Sequence, residues 1–210
     1  MINIDRIDVW GFEHAIRGMR NPMNSWDKSD SEFTYSPSEF MSTGCIVGEN
    51  DLDLMRRLYK AGSEHRKYLR QIFVSLDITA PLYWWKEFDT YKVGTVANSC
   101  STMHKIHAKE FELGDFSHEH LEESANLCLM CTIENLNWYR DKFLENKDKA
   151  NWWQMIQLLP SSYNQKRTIT MNYENIITII KQRSGHKLDE WNNFIDTLKE
   201  LPYIAAIMGD

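Results

Sequence analysis

The stretch running from Leu158-Leu159-Pro160 through Thr168-Ile169-Thr170-Met171-Asn172 to Arg183 decides how this 210-residue chain is read. Pro160 stops the helical pattern before it, because the residue preceding a proline is pushed out of the helical region. Arg167 to Met171 carries β-branched residues in a strand-like run. From there the apolar residues Tyr173, Ile176, Ile177, Ile179 and Ile180 recur at helical intervals. Asn172 is a good N-cap. Arg183 follows eleven residues later, about three turns on, which puts both side chains on one helix face. Two readings stay open here: a capping Asn with a solvated Arg, or two polar anchors of one site.

Working outward, Asn151 to Leu159 predicts a short helix. A long one is expected from Ser117 through Leu121, Ala125, Cys128, Cys131, Asn135 and Trp138 towards Leu144. Pro81 opens a helix over Leu82 to about Thr90, preceded by a strand at Ile72 to Ile78. Asp51 caps a helix over Leu52 to Ala61 that Gly62 ends. Residues 18–50 are dense in turn signals and are expected to form a long loop. Ile2, Ile4, Ile7 and Val9 alternate as a strand. A last helix is expected from Lys187 to Leu198, with Pro202 ending the regular structure. Helices dominate, strands are few, and no linker or repeat divides the sequence. The expectation is one α+β domain over 1–210, strand- and loop-rich in 1–50, with a helical and sheet body in 51–210.

Composition narrows the function classes. The chain is 42% hydrophobic and 26% charged, which is globular. Its formal net charge of −6 argues against general nucleic-acid binding or attachment to an anionic membrane surface. No apolar run approaches the roughly 20 residues of a membrane span. The start, Met1-Ile2-Asn3-Ile4-Asp5-Arg6, lacks a signal-peptide pattern, so a cytoplasmic location is expected. Cys128 and Cys131 form a C-x-x-C pair inside a helical stretch, which predicts core packing rather than redox or zinc chemistry. The histidines His104, His107, His118 and His120 follow no metal spacing. Adjacent aromatic residues stand at Trp84-Trp85, Trp138-Tyr139 and Trp152-Trp153. Neighbours on a helix point about 100° apart, so one ring of each pair is expected at a surface, an interface or a flat ligand.

The order of elements resembles the flavin-dependent thymidylate synthases, a family distinct from the folate-only synthases. That family has a Leu-Pro, then a Thr-x-Asn opening a helix, then an Arg eleven residues beyond the Asn. Here these read Leu159-Pro160, Thr170-Met171-Asn172 and Arg183. A helix ending at Gly62, and a strand ending in Thr79-Ala80-Pro81 ahead of an aromatic-rich helix, fit as well. The likeness spans roughly residues 50–200. It implies a helix-rich domain with a small, mostly antiparallel sheet, and a homotetramer whose sites form between subunits.

The family signature, Arg-His-Arg-x-x-Ser-x-Asn-Glu-x-Ser-x-Arg-Tyr, meets Thr90-Tyr91-Lys92 and the residues that follow. Lys92 and Thr95 stand for the second Arg and first Ser; Asn98 and Ser101 match the Asn and second Ser; Met103 or His104 takes the place of the last Arg. Arg grips phosphate bidentately, and Lys does not reproduce that geometry. Each lost charged contact removes about 1.5–3 kcal/mol. The expected site is therefore a remodelled nucleotide cleft without the parental chemistry: Arg183 for phosphate, Asn172 for a base or ribose edge, Lys92, Thr95, Asn98, Ser101 and His104 for hydrogen bonds. Trp85 and Tyr91 would stack on a ring. Arg20, in a basic-polar segment with Arg17, Asn24 and Ser25, would close over the ligand. No catalytic residue and no metal ligand is assigned. The resemblance implies FAD as cofactor, which the lost arginines leave open. The expected partners are a nucleotide-type small molecule and further copies of the chain. An Asn-, Ile- and Lys-rich sequence suits an AT-rich bacterial or phage genome, and in a phage such a cleft would sequester a nucleotide-derived signal of host immunity. The alternative is a divergent flavin enzyme that transfers a one-carbon unit to a pyrimidine nucleotide.

Overall fold

A computed structural model describes residues 2–35 and 42–209. In chain order these form β1 (Asn3–Trp10), α1 (Phe12–Arg20), β2 (Glu32–Tyr35), β3 (Ser42–Ile46), α2 (Glu49–Lys60), β4 (Phe73–Pro81), α3 (Leu82–Phe88), β5 (Val96–Ser99) and α4 (Thr102–Lys105). There follow α5 (Glu123–Asn146), α6 (Lys149–Leu158), β6 (Asn164–Asn172), α7 (Tyr173–Arg183), α8 (Asp189–Lys199) and α9 (Ile204–Met208). The architecture is α+β: helix-rich, with a small antiparallel sheet in the order β1-β4-β6-β5 and a separate antiparallel β2-β3 hairpin.

By its internal contacts the described chain groups into two units. One comprises residues 2–5, 77–92 and 97–169; the other comprises residues 6–35, 42–76, 93–96 and 170–209. The first is built on α5 and α6. Leu129, Ile133 and Leu136 share the inward face of α5 at helical spacing and meet Met155 of α6 together with Phe111 and Phe116. In the second, Phe12 packs edge-on against both Tyr173 and Tyr203, and α7 packs on α8. Tyr173 donates its backbone N–H to Ile72 at 3.0 Å, fixing the start of α7.

Several expectations need correction. The loop expected over 18–50 contains the end of α1, the hairpin and the start of α2; its residues 36–41 lie outside the described residues. Its Gly18 and Asn21-Pro22 are compatible with the last turn of a helix and the short 3-10 turn after it. Pro202 does not end the regular structure, since α9 follows it. Cys128 and Cys131 are exposed rather than in the core, because the inward face of α5 is taken by Leu129, Ile133 and Leu136. Trp84 and Trp85, expected to split between core and surface, are both buried, at 0% and 1% exposure. Their short helix is covered on more than one side, and the rings meet edge-on, with centroids 4.9 Å apart.

Candidate functional site

The entrance of α7 realises the capping reading. Asn172 is buried, and its side-chain oxygen accepts the Asn175 N–H at 3.0 Å. Asn175 then turns outward: its amide donates to the Val93 carbonyl at 2.5 Å and to the Thr95 hydroxyl at 3.0 Å. This seats residues 93–96 on the first turn of the helix, so Asn172 and Thr95 are brought into one neighbourhood. Gly94, with φ of 74°, makes the close approach; an added Cβ would stand 3.0 Å from the Asn172 amide nitrogen. Replacing Gly94 with Ala is expected to cost about 1–2 kcal/mol from the left-handed backbone. Chemical denaturation checks the cost, and faster amide exchange confined to residues 93–96 checks its location.

Beside the cap, Glu174 binds Arg66 at 3.1 Å and also Arg70. Burial pushes this carboxyl up, but hydrogen bonds from Arg70 and Arg66 outweigh that effect and hold it below the usual range. A carboxylate in the first turn also suits the helix dipole. Arg70 is thus an ion-pair partner of the helix entrance.

Arg183 ends α7 half-buried. Its guanidinium lies 4.7 Å from the centroid of the Trp191 ring, and Nη1 stands 3.3 Å from His186 Nε2. Asn172 and Arg183 sit at opposite ends of the helix, about 16 Å apart along its axis. They cannot grip one small group together.

Arg20 is buried at the end of α1. Its Nε donates to Asp51 at 2.6 Å, Nη1 to the Ser25 carbonyl at 3.1 Å and Nη2 to the Lys28 carbonyl at 2.9 Å. The residue expected to close over a ligand is a strut of the fold, with all three nitrogens occupied.

The remaining expected residues lie in the other unit. Trp85 sits in the core: its ring nitrogen donates to the Gln165 carbonyl at 2.9 Å, and the Arg167 guanidinium stands 4.2 Å from its ring centroid. Arg167 in turn binds Asp89 at 2.8 Å and Gln165 at 3.0 Å. Gln165 donates to the Cys100 carbonyl at 2.7 Å, tying the end of β5 to β6. Ser101 caps α4 by accepting the His104 N–H at 3.0 Å. Lys92, Asn98 and His104 are exposed, and Tyr91 is half-buried against Phe88. Asn175, Gln165, Glu174 and Arg167 were missed as organising residues. Asn175 alone left a signal, being a polar side chain three residues after a cap.

The arrangement offers hydrogen bonds and charge on an ordered polar stretch. Among the described residues no three candidate ligands cluster for a metal. No family profile and no curated protein matches the sequence. Among solved structures, flavin-dependent thymidylate synthase from Helicobacter pylori with FAD and dUMP superposes with a TM-score of 0.68 at 16% identity, over 99% of this chain and 97% of that one. A UMP/dUMP methylase, PolB from Streptomyces cacaoi, bound with 5-Br dUMP, gives 0.66 at 11% identity, over 98% and 93%. From end to end, this chain has the fold of the flavin-dependent thymidylate synthases.

Proposed function

We propose that the chain is a nucleotide-binding homo-oligomer on a thymidylate synthase fold that has shed the synthase chemistry. Support for the ligand class comes from the solved structures that share the fold, which hold dUMP or its bromo analogue. The observation that carries the loss of chemistry is the engagement of the guanidiniums expected at the ligand, Arg183 on its phosphate and Arg20 closing over it. Arg20 is saturated by Asp51 and two carbonyls, Arg183 rests on Trp191, and the signature positions hold Thr90 and Lys92. A flavin dinucleotide carries a diphosphate that wants such groups or a backbone nest. The side chains present do not fit it. What remains is polar recognition by Lys92, Asn98, Ser101 and His104, which holds a nucleotide without converting it. In a phage, that is sequestration of a nucleotide-derived signal.

Self-association is supported by α5, whose outward side exposes Leu127 at 56%, Met130 at 45% and Trp138 at 51%. Light scattering is expected to report a tetramer, and a monomer would remove any site shared between subunits.

The test is calorimetry of the purified protein against UMP, dUMP and cyclic nucleotides, with absorbance recorded for bound flavin. One nucleotide is expected to bind to colourless protein, and Lys92→Ala is expected to weaken it about 10- to 150-fold, the range for one hydrogen bond to a charged group. Yellow protein with tightly held flavin, or no heat with any nucleotide, defeats the reading.

A further inference from the structure

A cavity of about 580 Å³ opens between α1, the turn at Trp26–Lys28 and β2. That volume is in the range of small-ligand sites. Arg20 belongs to its lining, but Asp51 neutralises that guanidinium, so the charge facing a ligand comes from elsewhere. Two aromatic residues, Trp26 and Phe33, line the cavity beside the buried Ile16. Trp26 is 51% exposed, yet its ring is pinned, because Nε1 donates to Asn21 Oδ1 at 2.8 Å. A surface tryptophan held by its own edge is a preorganised stacking platform, since its entropy is already spent. Two charged side chains of opposite sign, Glu13 and Arg17, line it as well, with Asn21 and Ser29; the Glu13 carboxylate accepts a hydrogen bond from the Tyr35 hydroxyl and keeps lone pairs for a ligand. Glu13 and Arg17 lie one helical turn apart on α1, and Arg17 Nη2 stands 3.2 Å from His14 Nδ1.

We propose that this cavity is a ligand site for a guanine-type purine nucleotide, separate from the residues of the preceding section apart from the neutralised Arg20. The ring stacks on Trp26. Guanine presents two adjacent N–H donors on its pairing edge, which one carboxylate accepts side by side, and Glu13 supplies that carboxylate. Adenine sets a donor next to an acceptor there, so the same carboxylate makes one hydrogen bond and opposes a lone pair. Arg17 takes the phosphate as a charged, fork-shaped donor. A nucleoside would keep the stack and lose this contact.

The experiment is calorimetry on the full chain with GMP, AMP and guanosine, repeated on Trp26→Ala, Glu13→Gln, Arg17→Ala and Lys92→Ala. GMP is expected to bind roughly tenfold or more tighter than AMP, the scale of one good hydrogen-bonded edge. Trp26→Ala should weaken GMP about 5- to 150-fold, as loss of one base–aromatic stack does. Glu13→Gln should abolish the preference for GMP over AMP, and Arg17→Ala should bring GMP down to guanosine. Lys92→Ala should leave all three unchanged, which separates this site from the one proposed above. Equal binding of GMP and AMP overturns the proposal. So does GMP binding that survives Trp26→Ala, including binding that Lys92→Ala removes instead.

Discussion

Replacing Asp51 with Ala is expected to destabilise the protein by about 3–5 kcal/mol, the cost of leaving one partner of a buried ion pair uncompensated. Asp51 is fully buried at the start of α2 and receives more than Arg20. Its second oxygen accepts the hydroxyls of Ser29 and Ser31, each at 2.7 Å, and the backbone N–H groups of Asp30 and Ser31 at 3.2 Å. Asp30 returns the favour to the helix by accepting the N–H groups of Asn50 and Asp51 at 2.9 and 3.1 Å. One carboxylate therefore joins the end of α1, the segment leading into β2 and the entrance of α2. Removing it strands the Arg20 charge and several donors at once. Burial pushes the Asp51 carboxyl up, but hydrogen bonds from Ser31, Ser29 and Arg20 outweigh it and hold the group below the ordinary range. A depressed carboxyl stabilises the fold fully above its unfolded value of about 4 and loses that contribution as pH falls through the folded value. Urea unfolding at pH 7 and pH 3 reads both effects. The wild type should lose part of its advantage over Asp51→Asn on acidification, and an unchanged gap would refute the assigned role.

The elements that were legible in the sequence are those whose signals are local and mutually consistent. The helix α2 has acidic residues at its start and Gly62 just past its end, and α7 has Asn172 with isoleucines at three- and four-residue steps. The segments misread were those where local signals compete with tertiary contacts. α1 starts at Gly11, with φ of 98°, and offers no side-chain cap, so nothing announces it. The hairpin β2-β3 follows a run of turn residues that hid it, and α4 is a single turn held by Ser101. For the candidate site, residue types were readable and their employment was not. Arg20 and Arg183 both carry the charge expected of a phosphate grip, yet their partners, Asp51 and Trp191, come from other elements and no spacing reveals them. A guanidinium aimed at a ligand and one aimed at a neighbouring helix look the same in a sequence.

Trp85→Ala tests the same lesson on the opposite unit, with a loss expected at about 3–5 kcal/mol, the range for deleting a large aromatic side chain from a packed core. The expectation rests on position as well as size. The ring meets Trp84 and Phe88 edge-on, with centroids 4.9 and 5.4 Å away. Its nitrogen is tied to Gln165, and its face carries Arg167, so deletion opens a cavity and leaves a half-buried guanidinium without its aromatic support. In a chain of this length the loss should lower Tm by roughly 6–20 °C, at about 2–4 °C per kcal/mol. Trp85→Phe separates the contributions: it keeps an apolar ring and forfeits the hydrogen bond to Gln165, for about 1–3 kcal/mol. Trp138→Ala is the control, since that ring is half-exposed with Lys142 over it at 3.6 Å. Surface substitutions of this kind usually shift stability by no more than about 0.5 kcal/mol. The control is read at low protein concentration, because at concentrations where the chain self-associates through this face of α5, Trp138→Ala is expected to lower Tm in a concentration-dependent way by mass action. Equal losses for the two alanine variants at low protein concentration would mean that Trp85 does not anchor the core of its unit.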